Sequence, residues 1–275
     1  MEELVIEAGR SEAHYWRDLW RFRELFGFLA WRDILVRYKQ TAIGVSWALI
    51  RPLLTVLVGT GIFGSLAQLP ADGVPYAVMV CAGTLPWYFF SSALTESASS
   101  LVGNANLISK IYFPRLILPM SAVVVAFVDF AISLVILAGL MLWYGVVPTW
   151  RLLALPVLTL LAFVSAMGPG LLFTALNVKY RDFRYIIPFV VQFGLFISPV
   201  FYSTTAIEQR FGEGGRLICA INPVVGIIDG FRWAICGTTE IHWKSFLFSI
   251  CLSLVFLVAA VRYFRRMEKS FADVI

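Results

Sequence analysis

The sequence SAVVVAFVDFAISLVILAGLML, residues 121–142, is a continuous apolar run that contains a single charge, Asp129. A helix needs about 20 apolar residues to cross the hydrocarbon core of a bilayer, so this run is long enough to span a membrane. A strand of a transmembrane barrel would instead alternate apolar and polar residues over about ten positions. The run therefore predicts a transmembrane α-helix.

The composition extends this prediction to the whole chain of 275 residues. Hydrophobic residues make up 60%, charged residues make up only 14%, and the mean hydropathy is +0.82. A soluble protein carries about 25% charged residues, and a soluble globule of this size could not bury so much apolar surface. These values exclude a soluble enzyme, an extracellular disulfide scaffold and a disordered chain. They predict an all-α integral membrane protein.

Further apolar runs predict six transmembrane helices in a single transmembrane domain, residues 1–275. The predicted spans are residues 43–67, 76–98, 116–143, 152–177, 185–201 and 244–263. Short segments with Gly, Pro, Asn or charged residues separate them.

The basic residues predict the orientation of these spans. Most of the 22 Lys and Arg residues lie before the first span, between the second and third, between the fourth and fifth, and after the sixth. Cytoplasmic loops carry the excess of Lys and Arg, so we expect both termini in the cytoplasm, and six crossings agree with that. The net charge of +5 is therefore attributed to cytoplasmic loops and not to nucleic-acid binding. The first 18 residues are polar and acidic, so we expect no cleavable signal peptide.

Residues 15–40 predict an amphipathic helix at the cytoplasmic membrane surface. On a helical wheel, the apolar face is formed by Leu19, Phe22, Phe26, Leu29 and Ala30. Phe28 lies on the polar side and breaks the pattern. The helix is either a plain anchor that orients the first span or a platform that also contacts a cytoplasmic partner.

Residues 202–243 form an outer segment that is neither a span nor a simple loop. Its part from 220 to 236 is largely apolar, and Asn222 followed by Pro223 is a good helix start. This part is too short for a comfortable span and carries Asp229 and Arg232. We expect outer re-entrant gate helices here; a helix lying flat on the surface is the alternative.

The usual enzyme motifs give no catalytic site. The match GTGIFG at residues 59–64 lies in an apolar helix, where glycines favour close helix packing and not dinucleotide binding. No P-loop, no G-x-S-x-G sequence and no histidine cluster is present. We expect no metal and no cofactor in this chain. Cys219 and Cys236 could pair if they face an oxidising compartment, or they are small packing residues.

Asp129 is the charged residue nearest the middle of a span, where a charge is costly and is a functional candidate by default. It could instead be a structural partner of Arg51 or of a polar side chain on a neighbouring helix. A proton-coupled carrier usually has several such groups and a repeat between its halves. The chain has few ionisable residues in its spans and no convincing repeat, so an ion-coupled secondary carrier is an alternative only.

Aromatic residues make up 15% of the chain and several lie within the spans. A sugar ring has apolar C–H faces, so aromatic rings can hold a polymer without a fixed hydrogen-bond pattern. The candidates within the spans include Phe63, Trp87, Phe189, Phe193 and Phe196. The alternative is that these rings face lipid or pack within the bundle.

A series of short strings then carries a resemblance to a known family. In order along the chain, they are WRDI (31–34), VRYKQT (36–41), GVSW (44–47), RP (51–52), GTLPW (83–87), NANLI (104–108), KIYFPR (110–115), LNVKYRD (176–182), NP (222–223) and FRRMEK (264–269). Over residues 28–275 the chain resembles the permease subunit of an ATP-binding-cassette exporter of polysaccharides or polyol-phosphate polymers. Exporters of O-antigen, capsule and teichoic acid belong to that group.

The resemblance implies a function and partners. The chain would be a channel-forming permease that moves a lipid-linked, O-antigen-like glycan from the cytoplasm across the bacterial inner membrane. It would form a homodimer and bind two copies of a cytoplasmic P-loop ATPase, which would carry the ATP and Mg²⁺. It would contact membrane lipid and no nucleic acid. An exporter of drugs or lipids within the same superfamily is the alternative.

The resemblance also implies roles for particular residues. Coupling to the ATPase would fall to Asn104, Asn106, Lys110, Phe113, Arg115, Tyr180, Arg181 and Asp182. The glycan channel would be lined by Trp47, Phe63, Trp87, Phe189, Phe193 and Phe196. The outer gate would contain Asn222, Pro223, Asp229 and Arg232.

Overall fold

The structure is a computed structural model that describes residues 11–39, 46–71, 73–237 and 240–271. Within these ranges every regular element is helical. Gln40, at the end of the predicted surface helix, and residues 43–45, at the start of the first predicted span, lie outside the described residues. The all-α prediction is confirmed.

Eleven α-helices follow one another along the described chain. They are α1 (Ser11–Arg21), α2 (Arg23–Lys39), α3 (Ser46–Gly59), α4 (Tyr76–Gly103), α5 (Ala105–Ile108), α6 (Ile117–Tyr144), α7 (Leu155–Lys179), α8 (Phe183–Ile197), α9 (Thr204–Cys219), α10 (Pro223–Cys236) and α11 (Trp243–Met267). Helix α3 continues into a π-helical stretch, Thr60–Leu66. A 3₁₀ turn, Trp150–Ala154, precedes α7, and another, Glu268–Ser270, follows α11.

Five helical segments are long and apolar enough to cross a membrane. They are Ser46–Leu66, Tyr76–Gly103, Ile117–Tyr144, Trp150–Lys179 and Trp243–Met267. The pair α9 and α10 passes the same test together but is bent by 117°. With that pair the number of candidate spans reaches six, and the chain is a multi-pass membrane protein.

The fifth predicted span, residues 185–201, differs most from its prediction. Helix α8 has 15 residues and is about 22 Å long, less than the ~30 Å hydrocarbon core. It ends at Ile197 because Pro199 follows: a residue before proline is disfavoured in the helical region, and Ser198 is extended with φ −78° and ψ 145°. The chain therefore leaves the helix before the predicted end of the span.

Helix α4 forms the centre of the bundle and packs against α6, α7 and α10. Small and polar residues let α4 and α7 approach closely. A Cβ on Gly170 would lie 3.1 Å from Oγ of Ser97. Thr174 Oγ1 donates to the Ser97 carbonyl at 2.9 Å, and Asn177 Nδ2 donates to the Ala98 carbonyl at 2.9 Å. Because α4 is buried on nearly all sides, a displacement of α4 must displace its neighbours.

The glycine motif at residues 59–64 lies in the helical segment formed by α3 and its π-helical continuation, and no strand precedes it in the described chain. A Cβ on Gly59 would lie 2.8 Å from the Phe201 ring, and one on Gly64 would lie 2.8 Å from the Tyr76 ring. A Cβ on Gly61 would have no neighbouring heavy atom within 4 Å. Two of the three glycines thus serve close packing.

The predicted surface helix is two helices, α1 and α2, interrupted at Phe22. Its predicted apolar residues pack inward, with Leu29 and Ala30 buried, whereas Phe28 is exposed. Helix α2 packs along α6, and its last turn reaches Asp129 near the middle of α6. It therefore forms part of the bundle.

Candidate coupling, channel and gate sites

The connection between α4 and α6 contains one helical turn, α5, and is linked to the surface helix. Asn104 Nδ2 donates to the Ser100 carbonyl at 2.9 Å, at the end of α4. Arg32 of α2 donates to Asn104 Oδ1 at 2.9 Å and pairs with Asp33 at 2.7 Å. A movement of α5 is therefore mechanically linked to α2. Sequence reasoning had not assigned Arg32 a role, although it lies in the string WRDI.

The predicted coupling residues of this connection divide into exposed and inward-facing ones. Asn106 and Lys110 are exposed and available to a partner. Phe113 is buried, and Arg115 is half-buried in contact with Glu268. Phe113 and Arg115 therefore hold the connection to the bundle, whereas Asn106 and Lys110 form its free surface.

The predicted coupling residues in the connection between α7 and α8 lie on the surface of the chain. Tyr180, Arg181 and Asp182 are all exposed. The Lys179 ammonium lies 5.0 Å from the centre of the Tyr180 ring, within cation–π range. The structure gives this connection an aromatic and charged surface suited to a protein partner.

The predicted channel aromatics occupy two different environments. Phe189, Phe193 and Phe196 lie on one exposed face of α8, and the Phe189 and Phe193 rings are 4.2 Å apart. Trp47, at the start of α3, is also exposed. These four rings are available to line a channel.

The other two predicted channel aromatics pack within the chain. Trp87 is 3% exposed, and its ring lies where a Cβ on Gly194 would approach to 2.5 Å. Phe63 stacks on Phe201 with ring centres 5.0 Å apart. Trp87 therefore joins α4 to α8, and Phe63 joins the π-helical continuation of α3 to the segment after α8. Neither ring belongs to the exposed aromatic face of α8.

Asp129 lies in a cavity of about 470 Å³ between α2, α3, α4 and α6. Its partners are on α2: Arg37 Nη2 lies 3.0 Å from Asp129 Oδ2, and Tyr38 donates to Oδ1 at 2.5 Å. Arg37 also pairs with Glu96 of α4 at 2.9 Å. Arg51 lines the same cavity. Asp129 is therefore bound by polar side chains of a neighbouring helix, which is one of the two structural roles that the sequence leaves open. The string that contains Arg37 and Tyr38 does not by itself predict this contact.

The start of α10 is fixed by Asn222 and Pro223, as their sequence predicts. The Val224 N–H donates to Asn222 Oδ1 at 3.2 Å, which is an N-cap, and Pro223 occupies the first turn. Asn222 Nδ2 also donates to Ser198 Oγ at 2.9 Å. Asn222 therefore joins the start of α10 to the end of α8.

Arg232 on α10 is buried and holds the non-helical chain that follows α8. It donates to the carbonyls of Val200 and Tyr202, each at 2.9 Å. Non-helical backbone at membrane depth is tolerated when protein satisfies its polar groups, and Arg232 does this here.

Asp229, also on α10, belongs to a second polar network that joins α10 to α9. It accepts a hydrogen bond from Thr204 at 2.8 Å and faces the buried Arg216 at 3.5 Å. Arg216 pairs with Glu208 at 2.7 Å. Sequence reasoning had not identified Arg216 or Glu208, because both sit in a polar helix with no motif. Cys219 and Cys236, at the ends of α9 and α10, are not joined by a disulfide.

The chain is similar to known transport proteins over most of its length. Residues 24–236 match the model of the family described as ABC-2 type transporter. The O-antigen export system permease protein RfbA of Myxococcus xanthus is 27% identical, over 94% of this chain and 97% of its own length. A protein of the same name from Klebsiella pneumoniae is 25% identical, over 89% and 92%. The polysialic acid transport protein KpsM of Escherichia coli is 22% identical, over 87% and 92%.

Proposed function

The chain belongs to the ABC-2 type transporter family, and we propose that it is the permease subunit of an ATP-driven polysaccharide exporter. The observation that supports this most strongly is similarity over nearly the whole chain to permeases named for O-antigen export and to a polysialic acid transport protein. The substrate would be a lipid-linked, O-antigen-like glycan that leaves the cytoplasm across the bacterial inner membrane. Both termini would lie in the cytoplasm.

The exposed aromatic face supports a glycan channel at a contact between two copies of the chain. Phe189, Phe193 and Phe196 are spaced so that their rings lie on one side of α8. Ring faces bind the C–H faces of sugars without fixing a register, which lets a polymer slide. One copy leaves this face open, so a homodimer in which two copies of α3 and α8 face each other would enclose it.

The two cytoplasmic connections support coupling to a separate ATPase. Asn106 and Lys110 on one connection, and Arg181 on the other, are exposed. ATP and Mg²⁺ would bind to that partner subunit. Helix α5 follows α4 after one residue and is linked to α6 through residues 109–116, so a small rotation of α5 would move two spans as rigid bodies.

The bent pair α9 and α10 supports an outer gate. Asn222 and Arg232 join it to the end of α8, which carries the aromatic face. A change in the position of α8 would therefore move the gate, and the gate would close the channel when α8 returns.

A reconstituted complex tests this proposal. The chain is co-expressed with a candidate P-loop ATPase, purified, and placed in vesicles with a lipid-linked glycan. We expect the ATPase to co-purify, the glycan to stimulate ATP hydrolysis, and the glycan to cross the bilayer only with ATP. Transport by the purified chain alone, driven by an ion gradient, would contradict the proposal and favour a secondary carrier. Stimulation by drugs or simple lipids but not by the glycan would favour the other exporter class.

Charge reversal at the exposed connections tests the coupling role. Lys110→Glu and Arg181→Glu are expected to lower the glycan exported per ATP by about tenfold, because a coupling free energy between sites is typically 1–3 kcal/mol. Arg266→Glu is the control, since Arg266 is also exposed near the end of α11. Equal effects of all three changes would count against a specific coupling contact.

A further inference from the structure

The string FRRMEK at the end of α11 contains a largely buried acid, Glu268, that joins three parts of the chain. Its side chain is 14% exposed. Glu268 Oε1 accepts the backbone N–H of Arg115 at 2.8 Å and the hydroxyl of Tyr15 at 3.3 Å. The guanidinium of Arg115 donates back to the Glu268 carbonyl, and Arg265 lies 3.6 Å from Glu268 Oε2. Arg115 lies near the end of the connection that contains α5, two residues before α6 begins.

Aromatic side chains surround this contact and bury most of it. Tyr15 is buried, and the Arg265 guanidinium lies 3.3 Å from the centre of its ring. Phe264 and Phe271 are fully buried and pack edge to face. Burial raises the pKa of Glu268, while the Arg115 N–H and the Arg265 charge act in the opposite direction. Burial of a carboxyl in such a place is costly unless its contacts compensate.

The opposite end of α11 is packed tightly against α10. A Cβ on Gly226 would lie 2.7 Å from the Ser249 Cβ, and one on Gly230 would lie 3.1 Å from the Phe246 ring. Ser249 Oγ also donates to the carbonyl of Ala220 at 3.2 Å. There is no free space between the two helices here, so α10 cannot slide on α11 without a change in packing.

Helix α11 therefore spans the distance between the two sites. It has 25 residues and is about 37 Å long. One end is joined to the connection that contains α5, and the other end is in contact with the gate helix. A continuous helix transmits a displacement of one end to the other because its backbone hydrogen bonds keep its length fixed.

We propose that Glu268 is a positioning residue that links the cytoplasmic connection to α11, so that movement of the connection is transmitted along α11 to the outer gate helix α10. This inference rests on the proposed function, which supplies the ATPase that moves the connection. Transmission along α11 would act in addition to the direct route through α4 and α6. Tyr15 and Arg115 would then serve to fix the Glu268 side chain by hydrogen bonds.

The test uses the complete complex of permease and ATPase in lipid nanodiscs. It measures separately the two segments that contact the opposite ends of α11. Hydrogen exchange is measured with and without a non-hydrolysable ATP analogue, over residues 104–115 and over residues 220–236. In the unaltered complex both segments should change their exchange rate when the analogue binds. In Glu268→Ala the response at 104–115 should persist, and the response at 220–236 should fall about tenfold, within the range of coupling free energies.

Three further variants separate transmission from folding. Glu268→Gln keeps an oxygen that accepts the Arg115 N–H, so it should restore much of the response lost in Glu268→Ala. Arg265→Gln removes the ion pair and the ring contact and should weaken the response, whereas Arg266→Gln alters an exposed neighbour and should leave it unchanged. If Glu268→Ala does not assemble, Arg265→Gln against Arg266→Gln provides the same comparison.

The outcomes distinguish this inference from the proposed function. A normal response at 220–236 in both Glu268→Ala and Arg265→Gln would overturn the role of Glu268 and leave the exporter proposal intact. A loss of both responses together would also overturn it, because the residue would then only stabilise the fold. No response at 104–115 in the unaltered complex would overturn the ATPase coupling itself, and with it this route.

Discussion

At the scale of single residues, the two acids Glu96 and Asp129 within α4 and α6 are both paired with one cation of α2. Arg37 lies between Glu96 and Asp129, and Tyr38 donates a further hydrogen bond to Asp129. This arrangement keeps both acids satisfied at a depth where an unpaired charge is costly. The pairing with Arg37 favours a structural role of Asp129 over a proton-relay role.

The contact between Gly194 and Trp87 gives a prediction at this scale. Gly194→Ala should destabilise the protein by about 1–3 kcal/mol, because the added Cβ would lie 2.5 Å from the Trp87 ring and the site would be overpacked. The measurement is thermal unfolding in detergent.

Gly139→Ala is the matched control for that prediction. Gly139 also lies within a long helix, α6, but has nothing within 4 Å of its Cβ position. This change should be neutral or slightly stabilising, by less than about 1 kcal/mol. Equal unfolding temperatures for the two variants would show that Trp87 moves aside without cost and would contradict the packing role.

At the scale of elements, α8 is set apart from the other membrane helices. Its only buried residue is Ile187, and Pro199 ends it early. The chain then passes through Ser198–Ser203, held by Asn222 and Arg232, to the bent pair α9 and α10. A short helix with an exposed aromatic face and a C-terminal end held by its neighbours is the element best placed to change position.

The aromatic face of α8 carries the prediction at this scale. Phe193→Ala should reduce ATP-dependent glycan export by about two- to tenfold, since a ring contact contributes about 0.5–1.5 kcal/mol. Expression and the temperature of unfolding should change little, because the Phe193 side chain is about half exposed.

Phe248→Ala is the control for this prediction. Phe248 is similarly exposed but lies on α11, away from α8. Export should remain near that of the unaltered protein. If both variants lose export in proportion to their expression, the α8 rings serve packing or lipid contact and do not line a channel.

At the scale of the whole molecule, burial is distributed unevenly. The most apolar 18 residues of each span differ in the share that is buried. This share is 83% in the span Tyr76–Gly103 and only 17% in the span Ser46–Leu66. The centre of one chain is therefore α4, and α3 and α8 lie at its edge. An exporter channel would form where two such edges meet, and not inside a single chain.

Cysteine cross-linking tests this arrangement. In a variant without Cys81, Cys219, Cys236 and Cys251, a cysteine at Ile197 of α8 should cross-link two copies in the membrane. Val255→Cys on α11 is the control, because Val255 is as exposed as Ile197 but lies on a different helix. Cross-linking through Val255 and not through Ile197 would place the contact elsewhere and contradict the proposed channel position.

Several features of the site could be predicted because they depend on neighbours in sequence. The N-cap at Asn222 follows from Asn before Pro, and the apolar face of α2 follows from helical spacing. The contacts of Asp129 could not be predicted, because Tyr38 lies 91 residues earlier in the chain. The same is true of Glu268, whose partner Arg115 lies 153 residues away.

Hydropathy and short motifs are local properties of the chain, so the amino-acid sequence is enough to predict an all-α, multi-pass membrane protein of the exporter type. The face of each helix that is turned inward depends on packing between helices and is seen only in the folded chain. In lipid, apolar residues cover both the packed and the exposed faces of a helix, so periodicity does not distinguish them. Trp87 is buried where it meets Gly194 on a neighbouring helix, whereas the Phe193 side chain stays about half exposed in one copy of the chain.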